Sequence, residues 1–458
     1  MVIKSGENKA GKRLVKFTAI FLLLCLSSVN FASCAEKLKE EDNKLNYVNL
    51  DFFKRFNDEL LIKYIILGVN NNCSLKGLRN KINALYQAKN MEVSHEFPTL
   101  SVGANYLGIK IPYVAIPDQG FRDNAFALPF MTTWEIDLFG KRKNKIEMKR
   151  EDINASIYEE KGAIISLAGE IAGVYFNLAN LEEQINIQNK ILNNKKEKLR
   201  RVQKSFDNGI SNRMELNKIK KEVNLEEIVL NNYKKQREAF VSNMAYLIGE
   251  APGELYEVSN IQTIEYSGTV PDKISSDAVF CRPDILQKEA NLNKAKIDIR
   301  LARKAFLPDI NVFGVLMLST LTPNFLWKGA VAYLVAGANE QILTGGRRIF
   351  NLKYKKQEYE RLLNEYLDTD LKALKEVNDA LYDLKRDEET YRNNLDNLNF
   401  EEDNFIRVSN SLNQGVKGVI DYLDKDSEFL YEKSKTLNSK VQKFADLISL
   451  YKALGGEL

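Results

Sequence analysis

The stretch IISLAGEIAGVYFNLANLEEQI, residues 164–185, decides the fold of this chain. Its larger apolar residues are spaced alternately three and four positions apart, at Ile164, Leu167, Ile171, Val174, Leu178, Leu181 and Ile185. This is the heptad spacing of a coiled coil, because it keeps one apolar stripe facing a partner helix. The stripe continues at Leu192, Leu199, Val202 and Phe206. The pattern therefore predicts a long helix that packs against other helices.

The second half of the chain repeats this plan. A matching stripe occupies Leu374, Val377, Leu381, Leu384, Tyr391, Leu395, Leu398 and Phe405. Other short matches occur in the same order at an offset of 205 to 210 residues: Phe97-Pro98 with Leu307-Pro308, Leu138 and Gly140 with Leu343 and Gly345, Gly209 with Gly415, and Leu247 and Gly249 with Leu454 and Gly456. The sequence is therefore interpreted as an internal duplication.

Proline positions define where these helices can run, because proline interrupts a helix interior. All nine prolines lie within residues 98–129 and 252–323. Each copy is then free to form one helix of about 65 residues, at 141–207 and 346–412, which is roughly 100 Å long at 1.5 Å per residue. Helices of that length do not fit inside a compact globule.

Glycines mark the turns that follow the long helices. A second helix of about 36 residues is predicted to return after Gly209 in the first copy and after Gly415 in the second. These returning helices are expected to end at Gly249 and Gly455, since glycine is the usual residue just beyond a helix C-terminus.

Four short segments with alternating apolar residues lie between the helical parts, at residues 99–108, 126–138, 309–316 and 331–343. Strands of about ten residues with one apolar face suit a membrane β-barrel. Such a barrel must close, because lipid cannot satisfy the hydrogen-bonding groups of an open edge. Four strands are too few to close a barrel, so the sequence predicts that several chains share one.

The N-terminus resembles an export signal, with a basic region up to Lys16 and an apolar run over residues 17–26. That run is too short to span a bilayer as a helix, and we expect no later apolar run to do so. Small residues then precede Cys34, as in a bacterial lipoprotein signal whose cysteine is acylated after cleavage. An ordinary signal cleaved after Ala35 is the alternative.

Charge and composition exclude several classes of function. The net charge of +4 lies entirely before residue 34, and the balanced remainder argues against a nucleic-acid partner. The single histidine, His95, has no Cys or His at metal-ligand spacing, and neither a phosphate-binding loop nor a nucleophile elbow is present in the sequence. We therefore expect no cofactor, no metal and no enzymatic activity. Cys73 and Cys281 could form a disulfide in an exported protein, but buried free thiols are expected.

Several motifs, in order along the chain, resemble the TolC-type outer-membrane factor family, and specifically its lipoprotein branch serving RND-type pumps. They are FFKRFND at 52–58 with NNCSL at 71–75, WEIDLFG at 134–140, RPDI at 282–285 and QILTGGR at 341–347. Cys73 stands where the family usually has proline. The resemblance covers essentially the whole chain after the signal.

This resemblance implies a homotrimer with a twelve-stranded barrel in the lipid of the outer membrane and an α-helical coiled-coil barrel in the periplasm. It also implies a periplasmic adaptor and an inner-membrane transporter of RND or ABC type as partners. The chain would divide into a signal peptide (1–33), an N-terminal periplasmic or equatorial segment with a first helix (34–94), a first strand pair (95–140), a first helical hairpin (141–250), a linker or equatorial segment (251–280), a helix opening the second repeat (281–306), a second strand pair (307–345) and a second helical hairpin with the C-terminus (346–458).

The resemblance also assigns candidate functional residues. Asp421 and Asp424 match the aspartates that narrow the periplasmic mouth, and their spacing of three places both on one helix face. Lys417 and Glu215 occupy positions where the family often has a basic and an acidic partner that close this gate. The turn residues Gly209, Ile210, Gly415 and Val416 correspond to the tips that meet the adaptor. The basic stretch 195–204 near the first tip is interpreted as a solvated face.

An exported coiled-coil structural or adhesion protein without a pore is the alternative function. It accounts for the heptads and the signal. It leaves the motif at 134–140, the duplication and the aspartate pair unexplained.

The lipoprotein interpretation predicts that radiolabelled palmitate is incorporated into the wild-type protein and not into a Cys34→Ser variant. The sulfur of Cys34 carries the lipid in this interpretation, and the serine hydroxyl cannot replace it. Equal labelling of both proteins would favour cleavage after Ala35.

Overall fold

The computed structural model describes residues 48–111, 121–253, 256–270, 279–320 and 330–457. The predicted signal peptide and Cys34 lie outside the described residues. The chain divides into two compact units. Of the described residues, those within 82–154 and 290–364 belong to unit 1, and those within 48–81, 155–289 and 365–457 belong to unit 2.

The described helices and strands follow the duplicated order. The helices are α1 (Leu50–Lys54), α2 (Glu59–Asn71), α3 (Cys73–Ser94), α4 (Lys141–Asp207), α5 (Arg213–Ile248), α6 (Pro283–Lys304), α7 (Arg347–Asn413) and α8 (Val419–Ala453). The strands are β1 (Thr99–Val102), β2 (Asn105–Ile111), β3 (Phe121–Ile136), β4 (Asp309–Thr320) and β5 (Ala330–Asn339). The two long helices contain 67 residues each, which confirms the lengths predicted from the heptads.

Unit 1 contains one antiparallel sheet. β1 and β2 both pair with β3, β3 pairs with β4, and β4 pairs with β5. Since β1 and β2 share one position beside β3, the sheet is four strands wide. In the described part of the chain, β5 pairs only with β4, and β1 and β2 pair only with β3, so the sheet has two open edges.

All four predicted strands differ from the structure in their bounds, and two of these differences are explained by nearby residues. The expected strand at 99–108 is two strands, interrupted opposite Pro129, which has no N–H to donate to the ladder. At this point the Gly103 N–H donates to the Pro129 carbonyl at 2.9 Å. The strand expected to reach residue 343 ends at Asn339, because the chain then turns through Gly345 and Gly346, both of which have positive φ angles.

Ion pairs connect the helices of unit 1 to its sheet and to each other. Arg142, at the start of α4, binds Glu135 of β3, and Lys141 contacts Asp309 of β4 at 2.6 Å. A further pair joins Lys294 of α6 to Asp152 of α4 at 2.6 Å. These contacts fix the first turns of α4 beneath the strand ends.

Unit 2 contains two helical hairpins and the main apolar core. Aromatic rings from α1, α4 and α8 meet there, and Phe52 stacks on Tyr451 with ring centroids 4.5 Å apart. Phe176 of α4 packs against Phe444 of α8 at 4.9 Å. The N-terminal motif FFKRFND is therefore a core element, which explains its aromatic composition.

One part of α4 is apolar enough over eighteen residues to satisfy a membrane-span criterion, contrary to the expectation from the sequence. Of that window, 67% is buried inside the protein. Burial against neighbouring helices accounts for its composition, since an all-round apolar helix also occurs in a protein core.

The expected burial of the two thiols was wrong. Cys73 and Cys281 are both free and both exposed. Cys73 opens α3, where the preceding Asn72 side chain accepts hydrogen bonds from the Ser74 and Leu75 backbone N–H groups. A position in the first helical turn leaves the cysteine side chain in solvent.

A buried carboxyl group, Asp446, and a half-buried one, Asp387, lie close together between α7 and α8. Asp446 is 7% exposed, and its Oδ1 accepts a hydrogen bond from the Gln442 side chain at 3.1 Å. Burial, and then the nearby charge of Asp387, raise the pKa of Asp446 to about 6. The hydrogen bond from Arg386 lowers the pKa of Asp387, which therefore stays ionised.

The raised pKa of Asp446 predicts a contribution to stability that falls as pH rises. The folded protein holds the Asp446 proton more tightly than the unfolded chain, so stability is lost between about pH 4 and pH 6. Asp446→Asn should raise the free energy of unfolding by about 1 to 3 kcal/mol above pH 6, with little change near pH 4. Urea unfolding followed by circular dichroism tests this, with the exposed Asp379→Asn as control. An equal gain at both pH values would contradict it.

Candidate gate and tip residues

The two hairpin turns of unit 2 have the same backbone geometry. Gly209 and Gly415 adopt φ angles of +73° and +74°, which glycine reaches without strain. In each turn the N–H of the following residue donates back to a serine carbonyl. Ile210 bonds to Ser205 at 2.8 Å, and Val416 bonds to Ser411 at 2.9 Å. The duplication therefore extends to the hydrogen bonds of the tips.

The residues after these glycines are apolar and exposed. Ile210 is 80% exposed and Val416 is 74% exposed. Met214, one turn further along α5, is also 80% exposed. Exposed apolar side chains on a rigid turn suit contact with another protein.

Asp421 caps the start of α8. Its Oδ2 accepts a hydrogen bond from the Gly418 N–H at 3.2 Å. Gly418 has no side chain that could accept a hydrogen bond from the first turn of α8. The Asp421 carboxylate satisfies the N–H of Gly418 itself and interacts favourably with the helix dipole. The residue is exposed.

Asp424 lies one turn further along α8 and is paired within the chain. Its two oxygens accept hydrogen bonds from Lys198 Nζ at 2.7 and 2.6 Å. The Lys198 side chain is only 15% exposed, so this ion pair is more shielded from water than a typical surface pair. It connects α8 to α4.

The two predicted closing partners do not meet in a single chain. Glu215 accepts a hydrogen bond from the Ser211 hydroxyl at 2.6 Å, next to the Asn212 side chain that caps α5. Lys417 bonds through its backbone to the Ser411 carbonyl at 3.3 Å. Among the described residues, no ion pair joins Lys417 to Glu215, Asp421 or Asp424. The four predicted gate residues therefore lie near the tips, but no two of them form an ion pair with each other in the described part of the chain.

Sequence reasoning missed Lys198, because it lies inside the basic stretch that was interpreted as a solvated face. Its neighbours are also paired: Lys195 with Glu222 at 3.2 Å and Lys196 with Glu227 at 2.8 Å. Asn194, one turn before Lys198, donates to Asp426 of α8 at 2.6 Å. The sequence does contain a signal for these contacts. The apolar stripe of α4 has no member between Leu192 and Leu199, and all residues between them are polar.

Comparison with known proteins identifies the family. The sequence matches the family described as "Outer membrane efflux protein" over residues 69–250 and 274–456. The chain belongs to this family. The predicted family is confirmed, together with the outer-membrane location and the role in efflux that it carries.

Curated relatives in the outer membrane efflux protein family match most of the chain. The solvent efflux pump outer membrane protein SrpC of Pseudomonas putida is 24% identical over 414 residues, covering 89% of this chain and 86% of SrpC. The probable outer membrane lipoprotein SilC of Salmonella typhimurium is 24% identical over 412 residues, covering 88% and 87%.

Solved structures of outer-membrane channels share the fold. The Campylobacter jejuni CmeC outer membrane channel superposes with a TM-score of 0.79 at 21% identity, covering 89% of this chain and 88% of CmeC. The Neisseria gonorrhoeae MtrE outer membrane channel, in its open state, gives a TM-score of 0.76 at 22% identity, covering 86% and 89%. At these identities the likeness establishes the fold of the chain.

Proposed function

We propose that this family member is the exit duct of a tripartite efflux pump, formed by three chains that share one barrel in the outer membrane. The observation that carries the proposal is the pair of open edges on the unit 1 sheet. A periplasmic adaptor and an inner-membrane transporter of RND or ABC type complete the pump. Acylation of Cys34 would add a lipid anchor.

The strands suit a bilayer in length and in surface chemistry. β4 has 12 residues and β5 has 10, close to the 9 to 11 needed to cross a membrane when tilted. Nearly every residue of β5 is exposed, including Val331, Leu334 and Val335 at about half of their surface. These apolar side chains find a partner in lipid or in a neighbouring strand.

The open edges determine how chains combine. In lipid, every N–H and C=O of an edge strand needs a partner, so β5 of one chain pairs with β1 and β2 of the next. Two chains would give eight strands, whose interior is filled by side chains. Three chains give twelve strands and leave space for a passage, which supports the trimer over the dimer.

The gate is proposed to lie at the tips of unit 2. Three copies would bring six carboxylates, from Asp421 and Asp424, around the threefold axis, where they would bind cations. The Lys198–Asp424 ion pair holds the start of α8 against α4. Lys417 and Glu215, unpaired with each other in one chain, are proposed to act between chains. Several weak contacts together would keep the resting gate closed.

The adaptor is proposed to contact the tips. Gly209 with Ile210 and Gly415 with Val416 present two exposed apolar turns of the same shape. Three copies would offer six such turns, so an adaptor with repeated subunits could bind both copies of the motif in the same way.

Single-channel conductance in planar bilayers tests the proposed duct and its gate. Wild-type protein should form channels that open rarely and are blocked by divalent or trivalent cations from the tip side. Asp421→Ala with Asp424→Ala should abolish that block. An absence of channels would contradict the duct, whereas unchanged block would contradict only the gate.

The ion pair found in the structure predicts the effect of Lys198 on opening. Lys198→Met removes a contact of about 1 kcal/mol, so the open-to-closed ratio should rise roughly fivefold. Lys196→Met is the matched control, since Lys196 pairs with Glu227 of α5 and does not reach α8. Lys417→Glu, alone or with Glu215→Ala, should also raise resting conductance. An equal effect of Lys198→Met and Lys196→Met would show that the Lys198–Asp424 ion pair does not hold the gate closed.

A further inference from the structure

Every described helix that connects directly to the sheet joins it at the same edge. α3 leads into β1 and α6 leads into β4, while β3 leads into α4 and β5 leads into α7. The antiparallel register pairs the residues at this end of the sheet: Thr99 with Thr133, Ile310 with Ile136, and Asp309 with Asn339. This end is the helical edge of the sheet. In the proposed barrel the helical edge faces the periplasm, because the long helices continue from it.

The two long helices that leave the helical edge begin with strongly basic segments. Residues 141–150 of α4 and 347–356 of α7 together contain eleven basic side chains and one acidic side chain. The acidic one, Glu147, binds Arg300 of α6 at 2.9 Å. The rest of the two helices, residues 151–207 and 357–413, contains 15 basic and 24 acidic side chains. The basic excess is therefore confined to the helix ends that lie next to the sheet.

Six of these eleven cations form no ion pair in the described part of the chain. The other five are paired: Lys141 with Asp309, Arg142 with Glu135, Lys149 with Asp152, Arg348 with Glu340, and Lys355 with Asp298. The unpaired six are all exposed and are named the basic collar: Lys143, Lys145, Arg150, Arg347, Lys353 and Lys356. Glu96 and Asp137, near the same edge, also form no ion pair among the described residues, but two carboxylates cannot neutralise six cations.

Exposed apolar side chains occupy the turns between the strands and the basic segments. Leu138, after β3, is 65% exposed, and Ile342 and Leu343, after β5, are each 93% exposed. In the first turn of α7, Phe350 is 65% exposed, and Lys353 Nζ lies 5.8 Å from the centroid of its ring. The duplication therefore repeats one order of residue types, apolar and then glycine and then basic, at both strand-to-helix junctions.

The position of the basic collar matches the depth of lipid head groups. The polar region of a bilayer extends about 5 to 8 Å beyond the hydrocarbon on each side. Ten helical residues rise about 15 Å, so each basic segment begins in this region and ends within about one Debye length of it. Long basic side chains can also extend along apolar surface to bring their charge to the head groups. Apolar residues beside unpaired cations are typical of a surface that lies in a membrane interface.

We propose that the basic collar binds the phosphate groups of anionic phospholipids in the periplasmic leaflet of the outer membrane. Leu138, Ile342 and Leu343 enter the edge of the hydrocarbon, and the six cations attract the adjacent phosphates. The apolar turns favour a lipid over a soluble anion, because only a lipid covers the apolar side chains as well as the charges. This inference rests on the proposed barrel, which places the helical edge at the membrane surface.

Electron paramagnetic resonance of spin-labelled lipids tests the proposal. The full-length protein is reconstituted in phosphatidylcholine vesicles with a trace of spin-labelled phosphatidylglycerol or spin-labelled phosphatidylcholine. The motionally restricted fraction of each label gives its relative affinity for the protein. Wild-type protein should prefer phosphatidylglycerol several-fold. The preference should fall when NaCl is raised from about 50 mM to about 500 mM, because salt screens exposed charges.

Substitution of collar lysines should remove this preference. The variant with Lys143→Gln, Lys145→Gln, Lys353→Gln and Lys356→Gln should bind the two labels almost equally. The matched control replaces four lysines of α5 that are also exposed and form no ion pair in the described structure: Lys218→Gln, Lys220→Gln, Lys221→Gln and Lys235→Gln. This control removes the same charge from unit 2 and should keep the preference. An equal loss in both variants would mean that net charge alone attracts the lipid, and would overturn the proposal.

The same spectra separate failure of the collar from failure of the barrel. Equal restriction of both labels around the wild-type protein would overturn the basic collar and leave the proposed barrel intact. An absence of restricted lipid of either kind would contradict the barrel itself.

Two further measurements identify other occupants of the collar. A collar variant that is monomeric in mild detergent, where the wild-type protein is trimeric, would mean that these lysines bind a neighbouring chain. Sedimentation with purified peptidoglycan that the variant loses, without a lipid preference in the wild type, would assign the cations to the cell wall. Either result would overturn the proposal.

Discussion

The hydrogen-bonding groups along the two open edges of the unit 1 sheet are the constraint on which the rest of the structure depends. Among the described residues, the sheet is four strands wide and has one unpaired edge on β5 and another on β1 and β2. A bilayer would offer neither edge a partner. In the proposed barrel, pairing the edges between chains satisfies both at once.

The long helices could be predicted from the sequence because their signal is local and repeated. Steps of three and four residues, as from Ile164 to Ile185, determine both the helix and the face that it buries. Strands carry a weaker signal over fewer residues, so the interruption at Gly103 and the end at Asn339 were missed. The exposure of Cys73 was also missed, because it depends on which side of α3 packs against the core. Leu75 is the buried residue of that first turn.

The candidate gate shows the same difference between local features, which the sequence reveals, and contacts that depend on packing. The sequence places Asp421 and Asp424 on one face of a helix, and the structure agrees. It does not reveal that Lys198 pairs with Asp424, because that contact depends on how α4 and α8 pack, and 226 positions separate the two residues. Asp421 instead caps its own helix. The two carboxylates of one helix face therefore have different environments, which the resemblance to the family did not distinguish.

The central claim is that three chains close one barrel through the edges of their sheets. Electron cryo-microscopy of the purified protein in lipid nanodiscs tests it most directly. The account predicts a threefold assembly with one twelve-stranded barrel in which β5 of each chain lies beside β1 and β2 of its neighbour. A barrel closed within one chain, or a dimer with eight strands, would contradict it.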